Sequence, residues 1–394
     1  MTIRFATVTL LFAVCAALAM PSVNTASAQS IDTPARYALL MDAETGAVLY
    51  EKDADVSFPP ASMSKMMTTY VAFEMIKTGA FSIDDTTVIS PETWREWRGR
   101  GSTMFLNAGD EVTIGDLLRG IIVQSGNDAC VALAVAMAGS EPAFVDWMNQ
   151  MAADLGMTNS HFVNTNGWPA EGHRMSARDL AILAQHLVND YPELYSIYAE
   201  KSFTYGIDPT TGRPIIQRNR NPILGRVEGA DGLKTGHTEE SGYSLTASAV
   251  RDGRRLVLVL AGLDSERARS RESQRLLEYG FRNFKTYALF TAGQVVEEAD
   301  VWLGDANKVP LVVEKDYTIT MSRFDRNRMK ATIVYENPVP APILAGQSLA
   351  HVRLEIPNRD PITIPLVAGK DVGNLGGMGK ISAAFAHLLF GSAN

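Results

Sequence analysis

Ser62 and Lys65 stand three residues apart in the run Pro59-Pro60-Ala61-Ser62-Met63-Ser64-Lys65. Residues three apart on a helix share a face, and prolines are compatible with a helix start. The spacing predicts Ser62 near a helix N-terminus with Lys65 one turn on, looking at the same spot. A serine hydroxyl is a weak nucleophile until a base stands beside it. A lysine can take its proton if burial or a second cation lowers the ammonium's pKa. Ser-x-x-Lys alone is a weak pattern, because serines cap helices and a lysine one turn in is usually a solvated charge. Two more short motifs follow in order, Ser125-Gly126-Asn127 and Lys234-Thr235-Gly236.

The elements around these motifs must bring them together. Arg36–Tyr50 reads as a hairpin about the turn Asp42-Ala43-Glu44-Thr45-Gly46. Met66, Met67, Tyr70, Val71 and Met75 continue the Ser62 helix at helical spacing. The stretch from Val112 to Ser140 reads as two helices broken at Ser125-Gly126-Asn127, so polar side chains ride on a second helix start. Two amphipathic helices come next, the second capped by Ser176 with Asp179 at its third position. Three strands are predicted around Gly232–Gly236, Tyr243–Val250 and Arg254–Leu263, then a helix ending near Gly280. Strands at both ends with helices between imply an antiparallel sheet packed on helices. From about Thr291 to Gly369 the helical signal stops, and alternation such as Met329/Ala331/Ile333/Tyr335 marks a small β-rich domain. Ile381, Ala384, Phe385, Leu388 and Leu389 form one apolar stripe, the pattern of an amphipathic helix suited to a membrane surface or to packing on protein.

The first residues have the layout of a secretory leader. Arg4 precedes an apolar run from Val8 to Met20, and Ala26-Ser27-Ala28 offers cleavage before Gln29. Cys15 follows Val14, not the small residue of a lipoprotein site. The mature chain keeps Cys130 alone, so export without an intramolecular disulfide points to a bacterial periplasm. Losing Arg4 takes the net charge from −8 to −9, which argues against nucleic-acid binding. With 46% hydrophobic and 20% charged residues the composition is that of a globular protein. His161, His173, His186, His351 and His387 are scattered without metal-ligand spacing, so no metal or other cofactor is expected. Cys130 reads as a buried small residue, and Asp128 and Asp179 as helix braces.

The three motifs in this order resemble the D-alanyl-D-alanine carboxypeptidases among the low-molecular-weight penicillin-binding proteins. The stretches PASMSKMMT, GSTMFL, IVQSGNDACVALA, DGLKTGHTEESGYSLTASA and RESQRLLEYGF carry the likeness across essentially the whole mature chain. The resemblance implies an α+β fold: an antiparallel sheet flanked by helices (β-lactamase/transpeptidase-like), then a small all-β domain and a C-terminal amphipathic helix. The expected division is a leader over 1–28, a catalytic domain over 29–288, a β-rich domain over 289–370, and a linker with a membrane-anchor helix over 371–394. Ser62 is expected as nucleophile, Lys65 as base and Ser125 as proton relay. Lys234 would help lower the pKa of Lys65. Asn127 would hold the substrate's peptide bond, and Gly236 would leave room for substrate backbone on an edge strand. The family's pattern puts the two oxyanion donors at the backbone N–H of Ser62 and His237. Thr235 and an arginine would bind the substrate carboxylate; the pattern places that arginine at Arg269, with Arg267 and Arg271 close by.

The implied reaction is removal of the terminal D-alanine from peptidoglycan pentapeptides, with β-lactams as covalent inhibitors, at the periplasmic face of the inner membrane. A β-lactamase is one rival, but no Glu-x-x-Leu-Asn stretch follows Ser125, and Glu193-Leu194 runs into Tyr195. An endopeptidase would share the acylation chemistry. A catalytically silent wall-binding scaffold is the rival of another class, and the complete motif set speaks against it.

Overall fold

A computed structural model describes residues 31–376 of the chain, apart from 209 and 358. The leader expected over 1–28 and the terminal amphipathic helix lie outside the described residues. The chain divides into two compact units, one running up to Arg282 and one beginning at Asn283.

The first unit is built on a five-stranded antiparallel sheet. Its strands are β1 (Tyr37–Asp42), β2 (Val48–Lys52), β3 (Ala230–Thr238), β4 (Gly242–Arg251) and β5 (Arg254–Leu263), in the order β2-β1-β5-β4-β3. The sheet's first hairpin therefore joins its three later strands through the β1–β5 ladder, and β3 is left as an edge. β5 is buried from Leu256 to Leu263, as a near-continuous apolar run requires of a central strand. The helices Lys65–Lys77, Asn127–Ala138, Glu141–Asp154 and Ala177–Asp190 bury Met66, Met67, Leu133, Phe144, Leu180 and Leu183 in one core with Leu39, Val257 and Val259 of the sheet. The last two start at side-chain caps: Ser140 Oγ accepts from Ala143 N at 3.3 Å, and Ser176 Oγ from Asp179 N at 3.1 Å.

Two local readings differ. The last helix of this unit spans Glu266–Asn283 and passes through Gly280 instead of ending there. A Cβ at Gly280 would stand 2.7 Å from Leu256 and 2.9 Å from Leu40, so this glycine serves close packing on the sheet, not a helix stop. A hairpin of Ser202–Ile207 with Pro214–Arg218 was not foreseen; most of its residues face solvent, which leaves no clear apolar alternation.

The second unit holds a six-stranded sheet in the order Lys330–Tyr335, Ser348–Glu355, Ile362–Ala368, Lys308–Val312, Val295–Trp302, Val339–Pro340. Phe284–Phe290 pairs with Tyr317–Ser322 beside it, so this unit starts a little before the expected boundary. Its core gathers Ala299, Val309, Leu311, Val352, Leu354, Ile364 and Leu366, the inward members of alternating strands. One helical turn, Arg323–Arg328, interrupts the β-rich stretch, started by Ser322 Oγ accepting from Asp325 N at 3.0 Å.

Candidate active site

Ser62 lies in a tight turn of helix, Ala61–Ser64, that runs directly into Lys65–Lys77. Ala61 adopts φ +50°, a conformation that non-glycine residues rarely hold unless the surroundings impose it. Lys65 is fully buried and donates to Ser62 Oγ at 2.9 Å and to Asn127 Oδ1 at 2.8 Å. Its third donor goes to the backbone carbonyl of Asn166. All three ammonium donors are thereby directed, and one of them points at the half-buried serine hydroxyl.

The Asn166 carbonyl is delivered by a stapled loop. Gly167 N donates to Asn164 Oδ1 at 2.8 Å, and Thr165 donates through N and Oγ1 to Glu141 Oε1 at 2.9 and 2.7 Å. At Gly167, φ is +76° and a Cβ would fall 2.0 Å from the Ala61 carbonyl oxygen, so only glycine lets this loop lie against the serine turn.

Ser125 follows a short π-helical turn, Gly120–Gln124, and takes the left-handed conformation at φ +68°. It is buried, as is Asn127. The Asp128 carboxylate accepts from Met104 N at 2.9 Å and Leu106 N at 3.3 Å, tying the 102–106 loop to this corner. Asn127 N donates to the Ser102 carbonyl at 2.7 Å, and Asn127 Nδ2 to the Arg100 carbonyl at 3.3 Å. The Asn127 amide is thereby fixed with its oxygen toward Lys65. Cys130 is buried, with its thiol pushed up to about 12 mainly by burial, and is an inert packing residue.

Lys234, Thr235, Gly236 and His237 lie on the edge strand β3. A Cβ at Gly236 would stand 2.8 Å from the Pro60 carbonyl oxygen and 3.1 Å from Met63. The room this glycine makes is thus taken by the serine turn, where space for substrate was expected. The His237 ring stacks on Tyr243 across the β3–β4 ladder, with centroids 3.9 Å apart, and the Arg269 guanidinium lies 5.7 Å from the same Tyr243 ring. Arg269 is buried and pairs with exposed Glu266 at 3.0 Å, while Arg267 and Arg271 face solvent. Of the three arginines considered, the fold turns Arg269 inward.

Electrostatically the site is a group of cations short of counter-charge. Burial holds Lys65 down at about 8; Arg220 pushes the same way, and Cys130 and Asp128 oppose. Burial also holds Lys234 well below the usual lysine range, with Lys65, Arg220 and Arg269 adding to it. Lys65 and Lys234 repel each other, as the motif order suggests, and Arg220 adds positive charge beside both.

Arg220 was missed. It follows the unforeseen hairpin, carries no motif, and donates through Nη1 to Ser102 Oγ at 2.7 Å. The Asn166 carbonyl was also missed, because a backbone acceptor has no residue-type signature. Tyr243 was visible only as a strand residue.

Comparison with known proteins gives the same family as the motifs. The family described as D-alanyl-D-alanine carboxypeptidase matches residues 22–265, and the penicillin-binding protein 5 C-terminal domain matches 284–374. The D-alanyl-D-alanine carboxypeptidase DacA of Escherichia coli K12 is 38% identical over 349 residues, covering 87% of this chain and 85% of that protein. Penicillin binding protein 5 from Haemophilus influenzae superposes with a TM-score of 0.76 at 36% identity, over 87% of this chain and 99% of that one. The D-alanyl-D-alanine carboxypeptidase DacD from Francisella tularensis gives 0.76 at 30% identity, over 87% and 95%. With a buried lysine on its serine and relatives of this similarity along most of its length, the chain belongs to the D-alanyl-D-alanine carboxypeptidase family.

Proposed function

We propose that this chain is a serine-type D-Ala-D-Ala carboxypeptidase acting on peptidoglycan stem peptides and acylated by β-lactams. The observation that carries the reading is the 2.9 Å contact from Lys65 Nζ to Ser62 Oγ, with a lysine whose pKa is brought down to about 8. A lysine of that pKa accepts a proton near neutral pH, which an ordinary lysine does not.

Ser62 Oγ attacks the carbonyl of the penultimate D-alanine as its proton passes to neutral Lys65. The carbonyl oxygen takes up the electron pair and rests on the backbone N–H groups of Ser62 and His237. The intermediate collapses, the C–N bond breaks, and the departing amine receives a proton through Ser125. Water, deprotonated by the same lysine, then cleaves the acyl-enzyme and restores Ser62. Lys234, Thr235 and Arg269 hold the terminal carboxylate, with Arg220 adding positive potential from the rim. Asn127 orients Lys65 and the substrate amide.

The enzyme works in the periplasm. The leader-like layout of residues 1–28 supports export, and the apolar stripe Ile381 to Leu389 supports peripheral attachment to the inner membrane. The catalytic and β-rich domains correspond to the two compact units.

The test is the intact mass of purified protein after brief exposure to benzylpenicillin, beside Ser62→Ala, followed by D-alanine release from a pentapeptide. The expected result is one penicillin per chain, absent from the variant, and release of free D-alanine. Rapid penicillin loss without an adduct would indicate a β-lactamase. Cleavage of cross-linked dimers in preference to pentapeptides would indicate an endopeptidase. Penicillin left intact with no adduct would leave only the scaffold.

A further inference from the structure

The edge strand β3 is irregular just before its chemistry. Ala230 stands opposite Ala249 of β4, but Gly232 stands opposite Ser248, so two steps along β3 answer one step along β4. Asp231 is the extra residue, a β-bulge. A bulge re-aims every side chain after it, because residues paired in a ladder share a face of the sheet. A regular ladder continued from Ala230 would set Leu233 opposite Thr246 and Lys234 opposite Leu245. With the bulge, Lys234 stands opposite Thr246. Thr246 faces the serine turn, where its hydroxyl donates to Met63 Sδ at 3.6 Å, and Leu245 belongs to the other face. The extra residue therefore decides that Lys234, and not Leu233, is turned toward Ser62 and Lys65.

An edge strand has a ladder on one side only, so its register needs a further constraint. Asp231 carries one. Its Oδ1 and Oδ2 lie 2.8 and 2.6 Å from Arg255 Nη1, which reaches over from β5 on the far side of β4. The same nitrogen donates to Ser248 Oγ at 2.5 Å, and Ser248 is the residue opposite the end of the bulge. Buried Tyr195, at the end of the helical turn Pro192–Tyr195, donates its hydroxyl to Asp231 Oδ1 at 3.0 Å. Gly232 makes room for that hydroxyl, since a Cβ there would collide with it. The side chains of Asp231 and Arg255 are both largely shielded from water, so their pairing is stronger than that of a surface ion pair.

We propose that Asp231 is a positioning residue for the reaction: through Arg255, Ser248 and Tyr195 it pins the bulge that aims Lys234 at the substrate's terminal carboxylate. The proposal rests on the carboxypeptidase reading, which gives Lys234 that carboxylate to hold. When the Asp231 charge is removed, the bulge loses its pin and Lys234 its aim. The loss falls on recognition of the carboxylate, because the contact between Ser62 and Lys65 is built within one turn of another element.

The experiment measures kcat/KM for cleavage of a pentapeptide ending in D-Ala-D-Ala and of the same peptide with its terminal carboxylate amidated. The full chain is compared with Asp231→Asn, which keeps side-chain size and an acceptor for Tyr195, and with Arg255→Gln, which removes the opposite charge. The ratio of free to amidated peptide, taken within each protein, cancels any change in the amount of folded enzyme. Both variants should lower that ratio by about tenfold, the lower end of what a hydrogen bond to a charged group is worth. A ratio that both variants leave at the parent's value overturns the proposal, because any fall in activity then belongs to folding alone. Equal cleavage of the two peptides by the parent overturns it as well. If neither variant folds, as read by circular dichroism, the pair serves stability and the proposal falls. A parent that cleaves neither peptide overturns the carboxypeptidase reading itself, and with it the role given to Asp231.

Discussion

At the scale of single residues, the chemistry turns on which protons Ser62 and Lys65 hold. Lys65 attacks the serine proton only as the free amine. With its pKa near 8, the rate of acylation by benzylpenicillin should rise about tenfold per pH unit below pH 7 and level off above about pH 8. A stopped-flow pH profile that is flat from pH 5 to 9 would remove Lys65 from that role. The same shift bears on stability. Between about 8 and the ordinary 10.5, the unfolded chain holds a proton that folded Lys65 has released. Its contribution therefore rises with pH across that window and is lost as pH falls through 8. Lys65→Ala should slow acylation by about 10²- to 10⁴-fold, the usual worth of a positioned base, while the variant still folds by circular dichroism. Arg269→Ala should act on carboxylate recognition. We expect KM for a pentapeptide to rise by about tenfold or more, with a smaller change for a substrate whose terminal carboxylate is amidated. Equal losses on both substrates would assign Arg269 to packing under Tyr243.

At the scale of elements, the site is an intersection of three turns held at uncommon backbone angles. Ala61 at φ +50° and Ser125 at φ +68° each carry a side chain where the backbone disfavours one. The 164–168 loop presents a carbonyl to Lys65 only because Gly167 lets it touch the Ala61 carbonyl. Gly167→Ala should therefore cost about 1–3 kcal/mol, read as a fall in the denaturant midpoint. It should also slow acylation, because the lysine loses a fixed acceptor. An alanine variant as stable and as fast as the parent would show that the loop contact is dispensable.

At the scale of the whole molecule, two cores are closed separately. The catalytic residues, the sheet β1 to β5 and their helices all belong to the unit that ends at Arg282, and the β-rich unit has its own apolar centre. A chain stopped after Asn283 should acylate benzylpenicillin at the parent's rate, while its thermal transition loses the β-rich unit's contribution. A truncated chain that folds but does not react would mean that the β-rich unit is needed to build the site.

The sequence by itself determined the motif residues, the order of the main elements and a strand around Gly232–Gly236; that this strand is a sheet edge was implied only by the family resemblance and is decided by the topology. These follow from short-range rules: helical spacing, capping and strand alternation. It also determined the strands at each end of the first unit, because apolar runs such as Leu256–Leu263 can only be buried. Tertiary structure decided what depends on contacts between distant segments. Arg220, 155 residues beyond Lys65 in the chain, comes near it only by folding. The Asn166 carbonyl and the packing reason for Gly236 are likewise invisible in a linear reading, and Arg269 was singled out from its two neighbours only through the family's pattern, with its burial supplied by the fold. Burial is the common cause: it lowers Lys65 and Lys234, and a sequence names the lysines without stating how far each is taken from water.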